Sequence, residues 1–482
     1  MRRVTLLPLV LASALAACAI GPKVVKPDLR LPTAYDAPAG AAMADASLDR
    51  WWSLYGDPQL ESLVEQALVH APDARSALAR LHEAKAIRTE ATDAFNPQGA
   101  VQGTATRTDT TALKGGSFQI APGTPPISVV NAGFANAYNA NFNVSWELDL
   151  FGRRFVTAHK ANADLAAARF DFEATRASLA ASVADSLFQA RGLAIQLQDA
   201  RESARLQREL SRIADVKADH GIGARSDADQ ADAIAAQSDA QAIDLEGQLH
   251  AAQRTLLILV GRGVDPVGSL PTDAMAAAPP AVPAAVPASL LARRPDVREA
   301  AQKLISATGQ LHLNELALFP KFTLLPGAGI SSSQSFGSPT TTDFWSIGAG
   351  IAQPILDYPR LRSEIHAQGA RADQAAIAYE KAVQTAYGES ENALVLLTAD
   401  ENRIRILAGG ETQARAAYDA ARKRYALGID DLTSAISAER TWRTARTALT
   451  GAQVQALRRS VQAFKALGGG WTPPPMKRGP SR

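Results

Sequence analysis

The hydrophobic and polar positions of this chain fall into two kinds of stretch. Long runs rich in Ala, Leu, Gln, Arg and Glu lack proline: Arg154 to His220 holds one glycine, Gly192, and Arg360 to Leu467 has no proline at all. That composition predicts helices, with Gly409-Gly410 expected to bend or interrupt the last long one. Four shorter stretches, near 97–107, 138–149, 319–331 and 344–354, carry strand signals instead. In the clearest, Tyr138, Ala140, Phe142, Val144, Trp146 and Leu148 alternate with Asn139, Asn141, Asn143, Ser145, Glu147 and Asp149. This period of two gives one apolar and one wet face, over a length that can cross a membrane at a tilt. A half-buried strand of a soluble sandwich has the same pattern. Phe322, Leu324, Ala328 and Ile330 share one face of their segment, as do Trp345, Ile347, Ala349 and Ile351 of theirs.

The pattern repeats. Phe95-Asn96-Pro97 matches Leu318-Phe319-Pro320, and Asp149-Leu150-Phe151-Gly152-Arg153 matches Leu356-Asp357-Tyr358-Pro359-Arg360. Gly221-Ile222-Gly223 matches Leu427-Gly428, and Leu259-Val260-Gly261 matches Ala466-Leu467-Gly468. Residues 51–265 and 289–470 therefore each read helix, strand, loop, strand, very long helix, tight turn, helix. A Pro/Ala-rich linker, 266–288, joins them, and 471–482 form a tail. The long hairpins cover 154–260 and 360–467. In the first half, helices over 58–95 and 226–260 give roughly 73 residues against roughly 66 for the long helix, about 100 Å at the helical rise; the second half matches as closely. Two short helices stacked against each long one predict a helical barrel of about that length. Strands would cap one end and helix turns the other. An ordinary antiparallel bundle would not explain strands inserted at one end of every long pair. Four strands cannot close a barrel, and an open lipid-facing edge leaves backbone groups unpaired, so oligomerisation is expected.

The N-terminus sets the compartment. Arg2 and Arg3 precede an apolar run from Val4 to Leu15, too short to span a bilayer, so 1–17 reads as a signal peptide. It ends in Leu15-Ala16-Ala17-Cys18, which resembles a lipobox, making Cys18 the expected site of a covalent lipid and 18–50 a lipidated extended segment. Ala19, rather than Asp, follows the cysteine, which favours the outer membrane. Cys18 is the sole cysteine, so no disulfide forms within the chain. Loss of residues 1–17 removes two of 50 basic residues and leaves 48 acidic ones, a balance with no pull on nucleic acid.

Three motifs carry a resemblance to the outer-membrane efflux protein family, the TolC-like ducts, and to its lipoprotein (NodT-type) branch in Gram-negative bacteria. They are Trp51-Trp52-Ser53-Leu54-Tyr55-Gly56-Asp57-Pro58-Gln59-Leu60, Trp146-Glu147-Leu148-Asp149-Leu150-Phe151-Gly152-Arg153 and Leu291-Ala292-Arg293-Arg294-Pro295-Asp296-Val297-Arg298. The resemblance implies a mixed α and β membrane protein. Long coiled-coil helices would form a periplasmic α-barrel, and four strands per chain would join a shared twelve-stranded outer-membrane β-barrel in a homotrimer. It also implies docking to a periplasmic adaptor and an inner-membrane pump, usually proton-driven. The implied function is passive conduction of drugs or other small molecules out of the cell. The conduit of a type I protein-secretion system, and a pore-less lipid-anchored periplasmic scaffold, remain alternatives.

Asp57-Pro58 opens a helix because Asp caps free amides and proline fits the first turn; Arg294-Pro295-Asp296 can do likewise. Gly221 and Gly223 permit a tight reversal, with Ser226 and Asp227 expected to cap the returning helix. Arg424, Tyr425, Gly428, Asp430 and Asp431 occupy the matching place. By resemblance these tips contact the adaptor and form the closed aperture, although turn chemistry alone would also require the glycines. Where the family often carries acidic residues this chain has Ser434 and Ser437, leaving Asp430 and Asp431 as the nearest carboxylates. Trp146, Phe151 and Trp345 are candidates for an aromatic girdle at the lipid boundary, with simple packing the other reading. Pro359 stands where the family usually has glycine. No catalytic residue, metal site or further cofactor is indicated. The seven histidines form no close ligand pair, Gly327-Ala328-Gly329 and Gly348-Ala349-Gly350 lack a third correctly spaced glycine, and no nucleophile elbow occurs.

Overall fold

The structure is a computed structural model describing residues 31–32, 34–35, 48–111, 116–125, 127–129, 133–275, 278–282, 293–335, 338–427 and 429–469. The expected signal peptide 1–17, Cys18, Gly428, the linker residues 283–288 and the tail 471–482 lie outside the described residues. A 3-10 segment, Leu48–Tyr55, leads into α1 (Pro58–His70), α2 (Pro72–Asp93), β1 (Gln98–Thr110), β2 (Gly116–Phe118), β3 (Ile127–Val129), β4 (Gly133–Leu148), α3 (Arg153–Asp219) and α4 (Arg225–Leu259). The second half supplies α5 (Pro295–Leu316), β5 (Lys321–Ser335), β6 (Ser338–Ala352), α6 (Tyr358–Ala426) and α7 (Leu432–Ala466).

The two halves correspond closely. α2 and α5 are each 22 residues and begin Pro-Asp; α4 and α7 are each 35 residues. α4 and α7 both end on a left-handed glycine, Gly261 at φ +80° and Gly468 at φ +72°. The following amide reaches back in both, Arg262 to the Leu257 carbonyl and Gly469 to the Phe464 carbonyl, each at 2.8 Å. That is the Schellman ending, which only a residue free of a Cβ clash enters readily.

Three expectations change. The helix predicted over 58–95 breaks at Ala71, because Pro72 can start a helix but not continue one. α2 and α4 together are thus about ten residues shorter than the 67 of α3. Gly409-Gly410 does not interrupt α6, which is continuous over 69 residues. Both glycines are exposed, and about 1 kcal/mol apiece is small beside the good helix formers around them. The strands also run further than the apolar alternation. β5 reaches Ser335 and β6 resumes at Ser338, while the loop expected across 108–137 contains the hairpin β2–β3.

The chain divides into two compact units. One comprises the described residues of 84–165 and 303–375 and is built on an antiparallel sheet of order β1-β4-β5-β6. Hydrogen-bonded rows such as Val101–Phe142–Ala328–Trp345 fix its register. That register sorts the side chains. Val101, Tyr138, Phe142, Val144, Trp146, Phe322, Leu324, Ile330, Trp345, Ile347 and Ile351 share one face. Gln102, Thr104, Asn139, Asn141, Asn143, Thr323, Ser331, Thr342 and Ser346 share the other. Asp149 stops β4 and starts α3, its two carboxylate oxygens taking the Arg153 and Arg154 amides at 2.8 Å each.

The second unit holds the described residues of 27–83, 166–302 and 376–482. Its core collects Leu60, Val64, Val183, Leu187, Leu256, Leu257, Val461 and Phe464 around Trp51 and Trp52. Trp51 stacks on Phe464 at 5.8 Å between ring centroids. Asp57 caps α1 through the Gln59 and Leu60 amides, at 3.0 and 3.2 Å, while its carboxylate also holds the buried Arg191 guanidinium. Gln59 Oε1 accepts from the same guanidinium at 2.7 Å. Buried Arg294 donates to the Ala466 carbonyl at the end of α7 and pairs with Asp296 and Glu389 at 2.6 and 2.7 Å. The two most specific helix-start motifs thus lock the N-termini of α1 and α5 to other helices, a structural role.

Candidate functional site

The candidate residues gather in two places: the sheet and the turns of the helix hairpins. Among the described residues no core covers the sheet's apolar face, and Phe134, Tyr138, Phe142, Trp345, Ile347 and Ile351 remain 49–79% exposed. Along β4 the apolar band from Tyr138 to Leu148 measures about 25 Å once a strand tilt of about 40° is allowed for, the height of a hydrocarbon layer lined by a barrel. On that same face Arg107 and Asp109 lie towards the turn end, beyond the band, and Asp343 stands near its outer limit, in the row of Ile330 and Ala140. On the polar face β1, β4, β5 and β6 present mostly hydroxyl, amide and small residues, with Leu325 and Phe344 among them and Lys321 at the helix end. Its one acid, Glu147 at the helix end, is paired with Arg153 at 3.0 Å. β1 and β6 each pair on one side only.

The candidate girdle residues do not form one row. Trp146 lies near the helix end of β4 and donates its indole N–H to the Phe95 carbonyl at 3.2 Å. Phe151 follows the strand and packs on Phe319 and Phe322, with centroids 5.0 and 6.4 Å away. Trp345 stands mid-strand on β6, 79% exposed.

At the tips, α3 ends through Gly221 at φ +72°, with the Ile222 amide on the Lys217 carbonyl at 2.9 Å. α6 ends in the same pattern, the Ile429 amide on the Arg424 carbonyl at 2.9 Å. Both tips thereby present an isoleucine outward, Ile222 at 74% and Ile429 at 64% exposure. Gly223 is not left-handed; a Cβ there would lie 3.1 Å from Lys217 Cβ, so compactness is its requirement. The capping expected of Ser226 and Asp227 is not found. α4 begins at Arg225, its N-cap is Ala224 with no side-chain hydrogen bond, and Ser226 and Asp227 lie inside the first turn. Arg225 stands 3.5 Å from Asp215, Asp219 and Asp229. At the second tip Asp431 is the cap, accepting the Ser434 amide at 2.7 Å. Hydrogen bonds from the Ser434 side chain and amide hold its carboxyl below the usual range. Asp430 pairs with Arg424 at 3.0 Å.

One tip residue has no conspicuous sequence signal. Lys217, in the last turn of α3, donates to Tyr425 Oη at 3.2 Å and lies 4.6 Å from that ring's centroid, tying α3 to α6. The signal available was the repeat itself: Lys217 and Arg424 occupy the same turn position in the two halves, one residue from Tyr425.

No helix among the described residues is long and apolar enough to cross a membrane, and no cluster of metal-ligating side chains occurs among them. The two-faced sheet and the long helical hairpins define a channel-forming protein of the outer membrane. The outer membrane efflux protein model matches residues 63–262 and 286–469, and the chain belongs to that family. It is 28% identical to the pyoverdine export outer membrane protein OpmQ of Pseudomonas aeruginosa over 95% of both chains. Nodulation protein T of Rhizobium leguminosarum bv. trifolii is 25% identical over 95% of this chain and 96% of that one. The outer-membrane channel OprN superposes with a TM-score of 0.75 at 30% identity, covering 94% of this chain and all of OprN.

Proposed function

We propose that three copies of this chain close a twelve-stranded barrel and form the exit duct of a tripartite pump, with a periplasmic adaptor and an inner-membrane transporter supplying the energy. The observation that carries the reading is the sheet with an uncovered apolar face, a polar face and two free edges. Backbone groups in lipid must be paired, so the edges of one copy need those of another. The polar faces then line the lumen. Cys18 is lipidated at the membrane, and loss of palmitate labelling in Cys18→Ser would be its signature. The tips around Gly221, Gly223, Ser226, Gly428 and Asp431 meet the adaptor. Lys217–Tyr425 and Arg424–Asp430 hold them closed until helix packing shifts. The cargo is a small organic molecule, in keeping with the pyoverdine export named for the Pseudomonas relative.

Planar-bilayer recording of the purified protein, paired with an unheated denaturing gel, tests this directly. Conducting events from a heat-sensitive trimer are expected. A monomer that never conducts, in cells whose export is unchanged by deletion, would sink the proposal.

A further inference from the structure

The free edges of the sheet differ in shape, and the difference specifies how they meet. On the apolar face β1 offers Gly99, Val101, Gly103 and Ala105, then Arg107. On that face β6 offers Ile351, Ala349, Ile347 and Trp345, then Asp343. One edge is nearly bare and the other bulky; Arg107, with Asp109 beyond it, bounds the first and Asp343, of opposite sign to Arg107, bounds the second. Neither Arg107 nor Asp343 has an ion-pair partner among the described residues; the Arg107 guanidinium lies over Phe134, 4.5 Å from the centroid.

We propose that β6 of one copy pairs antiparallel with β1 of a second copy in the register that sets Trp345 against Ala105. Ile351 then faces Gly99, Ala349 faces Val101, Ile347 faces Gly103, and Asp343 faces Arg107. Every bulky side chain meets a small one, Val101 meets the alanine, and the charges pair at the outer end of the seam. Directly opposed side chains on adjacent strands lie about 5 Å apart, within contact of a long arginine. A slip of two residues one way sets Ala105 against Asp343. The other way sets Asp109 against Asp343, two like charges in direct opposition.

The barrel geometry agrees. Within one copy the hydrogen-bonded row that starts at Val101 ends at Trp345. Joining Trp345 to Ala105 of the next copy raises the row by four residues per copy. Over three copies that corresponds to a strand tilt of about 35°, at the edge of the usual range, against about 20° or about 47° for the two slipped registers.

The inference rests on the trimeric reading, and the experiment separates the two. Full-length protein in native outer membranes would carry Trp345→Cys with Ala105→Cys, Gly103→Cys or Arg107→Cys, and Trp345→Cys alone as control. After mild oxidation, covalent dimers and trimers are expected from the Ala105 pair in at least fivefold excess over the others. Preferential cross-linking of either slipped pair, or none from a chain that still migrates as a trimer, overturns the register. A chain that never migrates as a trimer overturns the function proposed above as well. Charge reversal supplies a second readout. Arg107→Asp and Asp343→Arg should each lower the temperature of trimer dissociation, and the double variant should recover at least half of the loss. No recovery removes the Arg107–Asp343 contact.

Discussion

Asp57 serves three partners at once, two amides of α1 and the Arg191 guanidinium. Burial alone would raise its carboxyl, but the Arg191 bond and the Leu60 and Gln59 amides outweigh it and hold the acid below its usual range. A depressed carboxyl contributes stability that is present above about pH 4 and is lost as pH falls through the folded value. Asp57→Asn leaves a buried guanidinium under-paired, so a loss of about 3 kcal/mol is expected at neutral pH. In acid the gap to the wild type should narrow, as thermal melts followed by circular dichroism across pH 3–7 would show, that range bracketing the ordinary aspartate value of about 4. Gly261 is a sterner case. Its φ of +80° strains any side chain, and a Cβ would lie 2.7 Å from the His70 carbonyl. Gly261→Ala should cost about 2–3 kcal/mol, whereas Gly409→Ala, in open helix, should stabilise by about 1 kcal/mol. The sequence repeat pointed to both helix-ending glycines. It did not show why Gly261 and Gly468 are obligatory, because the obstructing carbonyl of His70 and backbone of Arg293 come from elsewhere in the chain.

Among elements, legibility followed the strength of the local pattern. β4 was plain because lipid-side and wet-side residues alternate along most of it. The outer ends of β5 and β6, Ser-Ser-Gln-Ser and Ser-Pro-Thr-Thr-Thr, were hidden because both faces are polar beyond the apolar band, and composition there reads as loop. α1 was merged with α2 since a helix signal resumes one residue after the break at Ala71. The helix reversals fall where the repeat put them, but Lys217 was passed over: its partner Tyr425 lies far along the chain, and only its repeat match to Arg424 pointed to it. Because that contact ties α3 to α6 near their ends, removing it should loosen the proposed gate. Lys217→Ala is expected to raise single-channel open probability severalfold, with Tyr425→Phe intermediate because it keeps the ring and loses the hydroxyl. Equal closed times for all three proteins in bilayer recordings would show that the contact does not gate.

At the scale of the whole molecule, nothing among the described residues covers the apolar face of the sheet, and the polar face is uncharged except at its helix end, where Lys321 and the Arg153-paired Glu147 stand. A closed barrel resolves both facts, and it makes a prediction that alternates residue by residue. Single cysteines at Asn139, Asn141 and Asn143 should react with a charged, water-soluble thiol reagent and reduce conductance stepwise. Those at Ala140, Phe142 and Val144 should stay unmodified in the membrane, since they face hydrocarbon. The β4 register leaves no freedom to shift this pattern, because a one-residue slip would send every apolar side chain into the lumen. A soluble sandwich predicts a different outcome: the apolar positions would be protected by protein, and modification at the asparagines would leave any conductance untouched. Reaction at all six positions would mean that β4 is not in a barrel wall, and the trimeric duct would lose the observation on which it stands.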